Sequence, residues 1–107
     1  MTNFDKREEG FEKQFAHDEE LKFKTTARRD KLLGLWAAEK LGLAGPAAEA
    51  YAKAIVLADI EATGDYDVFE KIRKDFDAKD VRLSDHQIRR TMDELMAKAI
   101  AEIKAAG

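Results

Sequence analysis

The chain is 107 residues long, about the size of one ordinary domain, with 45% hydrophobic residues, 38% charged residues and a single proline. That is enough apolar surface for a core and enough charge to coat it, and the absence of cysteine excludes disulfides, thiolate nucleophiles and thiolate metal ligands together. A reducing, cytoplasmic setting is expected, because no run approaches the ~20 apolar residues of a bilayer span and no apolar segment follows Met1-Thr2-Asn3-Phe4-Asp5-Lys6-Arg7.

The net charge of −3 is unevenly spread. Residues 1–20 carry Asp5, Glu8, Glu9, Glu12, Asp18, Glu19 and Glu20 against Lys6, Arg7 and Lys13. Residues 22–31 then hold Lys22, Lys24, Arg28, Arg29 and Lys31 against Asp30 alone. The simplest reading of both blocks is a solvated surface; the alternative is an arm oriented on a charged partner.

Residues 1–16 differ in physical character from the remainder of the chain. Phe4, Phe11 and Phe15 project within about 40° of one another on a helix. Gly10 interrupts that helix at a cost on the order of 1 kcal/mol, and Asp5 with Glu9 and Glu8 with Glu12 are like charges at i, i+4. Such an arm is marginal alone and gains from an apolar groove in which to fold, either on a partner or on the bundle itself as an extension of the first helix.

A first helix is expected from Asp18-Glu19-Glu20, whose carboxylates suit the positive end of a helix dipole, to Leu41-Gly42. Leu21, Leu32, Leu35, Trp36 and Leu43 define its expected apolar face, which Ala27, Ala37, Ala38 and Leu41 widen, with Trp36 read as core. Pro46 fits the first position of a second helix with Tyr51, Ile55, Ala58 and Ala62 at helical spacing, ending at Gly64. Asp65 or Asp67 caps a third, in which Val68, Ile72 and Phe76 form an i, i+4, i+8 stripe, ending near Lys79 or Asp80. Ser84 and Gln87 have the spacing of a capping box, with Leu83 and Ile88 as its hydrophobic staple. The fourth helix then turns Ile88, Met92, Leu95, Met96, Ala99 and Ile103 to one face. The expectation is an all-α four-helix bundle over residues 17–107 behind a mobile, helix-forming arm over residues 1–16.

Little in the chain suggests catalysis. Gly42-Leu43-Ala44-Gly45 lacks the Lys-Ser/Thr ending of a phosphate loop, and the chain's one serine, Ser84, is committed to a cap. His17 and His86 have no nearby His or Cys, so no metal site and no cofactor is expected. His86-Gln87-Ile88-Arg89-Arg90 has the look of a recognition-helix start, yet Arg89 and Arg90 have Asp85, Asp93 and Glu94 as partners at helical spacing, which disfavours nucleic acid. A helical domain that senses a nucleotide or other small molecule is the alternative from another class.

Several strings resemble one family throughout the chain. Phe4-Asp5-Lys6-Arg7-Glu8, Phe11-Glu12 and Phe15-Ala16-His17-Asp18-Glu19-Glu20-Leu21-Lys22-Phe23-Lys24 resemble the zeta-subunit inhibitors of the alphaproteobacterial F-type ATP synthase. So do Lys31-Leu32-Leu33-Gly34-Leu35-Trp36, Tyr51-Ala52-Lys53, Asp67-Val68-Phe69 and Ser84-Asp85-His86-Gln87-Ile88-Arg89-Arg90. The resemblance implies a monomeric, non-catalytic subunit, peripheral to the inner membrane through the enzyme. It implies that the N-terminal segment enters a catalytic interface beside the central rotor of the catalytic head and stops rotation in the hydrolytic direction; from the arm's own pattern, Phe4, Arg7, Phe11 and Phe15 are the contacts expected.

Overall fold

The computed structural model describes residues 19–61 and 65–106. They form four helices, α1 (Glu19–Lys40), α2 (Pro46–Glu61), α3 (Asp65–Ala78) and α4 (Asp85–Ala106), and no strand. The expected all-α class and all four helices are present. Ala62 and Gly64, read as the end of the second helix, lie outside the described residues, as do His17 and the whole of the arm.

The helix ends follow local chemistry. The Leu43 N–H bonds the Ala38 carbonyl at 2.9 Å and the Gly42 N–H bonds that of Glu39 at 3.1 Å, with Gly42 at φ 80°. This is a Schellman stop, and glycine enters its left-handed position without a Cβ penalty. The same pair of bonds closes α3, from Val81 to Phe76 and from Asp80 to Asp77, but the left-handed residue there is Asp80 at φ 57°. At the start of α4 the Gln87 N–H donates to Ser84 Oγ at 3.1 Å and the Ser84 N–H to Gln87 Oε1 at 2.9 Å, the reciprocal capping box expected.

The core gathers Leu33 and Ala37 of α1, Ile55 of α2, Val68, Phe69, Ile72 and Phe76 of α3, and Ile88 and Met92 of α4. The α3 stripe is buried as its spacing predicts, and Trp36 is half-buried, its ring 5.7 Å from that of Phe76. Val81 and Leu83, in the connector before α4, also close over this core.

The buried face of α1 is only partly the one expected: Ala37 and Ala38 are fully buried, as read from the sequence. Leu21, Leu32, Leu35, Trp36 and Leu43 are only half-buried, whereas Thr25, Arg29, Asp30 and Leu33 are buried. The reason is that α1 packs along both α2 and α4, so its covered arc is wider than one stripe. The approach to α2 is close: a Cβ added at Gly34 would lie 2.5 Å from the Cα of Ala52. Ala52 is accordingly buried beside Ile55 on α2, while Tyr51, expected on the core face, is half-buried and donates its hydroxyl to Asp75 Oδ2 at 2.8 Å.

Polar contacts tie the helices at their edges. Arg28 of α1 and Glu102 of α4 pair at 3.2 Å, and Arg73 of α3 reaches Asp77 at 2.8 Å, Asp85 at 3.2 Å and the Leu83 carbonyl, pinning the α3–α4 connector.

Candidate interaction surface

Midway along α1 the helix pair encloses three charged side chains. Arg29 and Asp30 are each 1% exposed, and Asp59 of α2 is 10% exposed. Arg29 Nε donates to Asp30 Oδ1 at 2.6 Å, and its Nη2 lies 3.9 Å from Asp59 Oδ2. One guanidinium thus faces two carboxyls. Burial pushes the Asp30 carboxyl up to about 8, and its hydrogen bond with Asp59 adds to the rise, against the pull of Arg29. A carboxyl pushed that high favours its protonated form at neutral pH, the form that can donate to Asp59 across the α1–α2 seam. The basic block over residues 22–31, read as a solvated surface, in fact contributes this buried pair to the bundle interior. Neutralisation by Asp59 from another helix is the physical reason.

Above this trio lies a groove of about 370 Å³ walled by Lys22, Phe23, Ala27 and Asp30 of α1 and by Val56, Asp59 and Ile60 of α2. Two neighbouring depressions share its residues. One adds Lys24, Arg28 and Lys31 with Ile103 of α4; the other runs from Lys31 and Val56 to Lys53 and Glu49. Val56 borders all three, so together they make one channel along the α1–α2 seam. Phe23 and Ile60 are 56% and 54% exposed, and Leu57, a neighbour on the outer face of α2, is 47% exposed. Large apolar side chains left this open in one patch mark a place where another surface sits.

The expected contacts Phe4, Arg7, Phe11 and Phe15 all lie outside the described residues. His86 is exposed in the first turn of α4, and no group of three His, Cys, Asp or Glu side chains able to hold a metal ion occurs among the described residues. Arg90 pairs with Glu94 at 3.1 Å as its spacing predicts. Arg89 does otherwise: its guanidinium lies 4.1 Å from the Phe69 ring centroid, and the Asp85 expected to serve it is held by Arg73. Sequence reasoning passed over Phe23, Val56 and Ile60. The one visible signal was Phe23, a large apolar residue between Lys22 and Lys24.

Among the described residues no helix is long and apolar enough to cross a membrane. Fold and surface together define a small helical-bundle protein that presents an apolar, lysine-rimmed channel. The sequence model of the ATPase inhibitor subunit zeta matches residues 1–102, and the chain belongs to that family. A protein solved by solution NMR is 41% identical, with a TM-score of 0.71 over 81% of this chain and 99% of the other. No curated protein sequence matches the chain.

Proposed function

We propose that this inhibitor subunit stops ATP hydrolysis by the F-type ATP synthase by inserting residues 1–16 as a helix into a catalytic interface of the head, against the central rotor, while residues 17–107 stay outside as a folded bundle. The supporting observation is that the family match runs from residue 1 through residue 102, taking in the arm together with the bundle. The arm carries Phe4, Phe11 and Phe15 on one helical face with Arg7 nearby, and it joins α1 at Glu19. A segment that is marginal alone folds where a groove supplies the missing apolar contact, and obstruction of a rotary cycle asks for no catalytic group in the obstructing protein. The bundle works in the cytoplasm, at the periphery of the inner membrane through its enzyme.

The test is ATP hydrolysis by the purified enzyme with three proteins: the full chain, a chain lacking residues 1–16, and a Phe11→Ala/Phe15→Ala double variant. The full chain inhibits; the truncated chain stays helical by circular dichroism and does not; the double variant inhibits at least tenfold less well. Equal inhibition by the truncated chain would overturn the arm mechanism.

A further inference from the structure

The channel between α1 and α2 is unaccounted for by an arm that acts alone. Because the two helices run antiparallel, Phe23 lies toward Ile60 and Lys31 toward Lys53. The distance from Phe23 to Lys31 along α1 is about 12 Å, two turns of helix. The floor of the channel is apolar, made of Phe23, Ala27, Val56 and Ile60, and its rim is basic. Of the bases, Lys24 is engaged by Glu20 at 3.3 Å and Arg28 by Glu102 at 3.2 Å. Lys22, Lys31 and Lys53 take part in no ion pair among the described residues. Of the carboxyls on the walls, Asp30 and Asp59 face Arg29, which leaves Glu49 against three unengaged ammonium groups.

We propose that this channel, with Phe23, Val56 and Ile60 as its floor and Lys22, Lys31 and Lys53 on its rim, docks an acidic amphipathic helix exposed on the catalytic head. The inference rests on the inhibitory reading above and gives the bundle its own hold on the enzyme. An apolar stripe of two turns fills the floor, and carboxylates on its flanks meet the lysines. The channel's Phe23–Ile60 end opens beside the first turn of α1, which leads directly into residues 1–18. A partner helix seated there receives the arm at high effective concentration, so two modest contacts combine into one tight attachment.

The experiment uses the full chain and the purified catalytic head. In Lys31→Glu/Lys53→Glu, both lysines are exposed and the fold is retained; the concentration for half-maximal inhibition rises at least tenfold, the maximal inhibition is unchanged, and the loss shrinks as salt is raised. Phe23→Ala gives a loss in the same direction that salt does not reduce. Unchanged half-inhibition in both variants, beside a wild-type chain that inhibits, overturns the docking surface and leaves the arm mechanism standing. A wild-type chain that fails to inhibit overturns the functional reading, and this one with it. Two further outcomes also refute it. Amide shifts of Phe23, Val56 and Ile60 that change on removing residues 1–16 without enzyme would mean that the channel holds the chain's own arm. A concentration-dependent dimer abolished by Lys31→Glu/Lys53→Glu would mean that it holds a second copy.

Discussion

Replacing Asp30 by Asn tests the proton held between α1 and α2. In the folded chain this carboxyl titrates at about 8 against 3.8 when unperturbed, so between those values the folded state binds more protons than the unfolded state. The stabilisation is therefore complete at the acid end and is lost as the pH rises toward 8. The slope from one such proton is on the order of 1 kcal/mol per pH unit across the middle of the window. Asparagine imitates the protonated acid. Its Oδ1 still accepts from Arg29 Nε, and its amide donates to Asp59 where the shared proton stood. Urea unfolding followed by circular dichroism from pH 5 to 8.5 is the assay, with a constant m-value as the check on two-state behaviour. The wild-type chain loses stability steadily over that range, and the Asp30→Asn chain is flatter and at least as stable at pH 8. Parallel slopes in the two proteins would refute a proton shared by Asp30 and Asp59.

Three further perturbations probe the bundle. Gly34→Ala sets a gain in helix propensity of about 1 kcal/mol against a Cβ 2.5 Å from the Ala52 Cα, and the clash wins, lowering stability by roughly 1–3 kcal/mol in the same urea assay. Asp80→Gly relieves a left-handed aspartate and raises stability by up to about 1 kcal/mol, measured as a higher melting temperature with unchanged helix content. Ser84→Ala removes the acceptor for the Gln87 N–H and costs about 1 kcal/mol, accompanied by faster amide exchange in the first turn of α4.

What could be read from the chain was what local patterns determine. The Ser84–Gln87 box and the Val68, Ile72, Phe76 stripe were legible because each signal lies within two or three turns and rests on large or specific side chains. The face of α1 was legible only at Ala37 and Ala38. Its covered surface includes Thr25, Arg29, Asp30 and Gly34, which an apolar periodicity counts as solvent-facing, and only Asp59 and Ala52 of α2 explain why they are inside. The channel was hidden for a related reason. Phe23 and Ile60 form one patch only once α1 and α2 lie antiparallel, and neither helix announces the pairing alone. The left-handed Asp80 carried no signal because aspartate is common in loops of every kind.

The contact at Gly34 and Ala52 has a mechanical consequence. With backbone nearly on backbone and no side chain between, α1 cannot turn about its axis or slide along α2 without driving Leu33 or Leu35 into a space that holds neither. The pair therefore behaves as one stiff strut, pinned about midway along its length. A pull applied at Glu19, where the N-terminal segment joins, is passed to both helices together, so the joint resists until the whole strut yields. An anchor that peeled away turn by turn would slip under load, and this one does not.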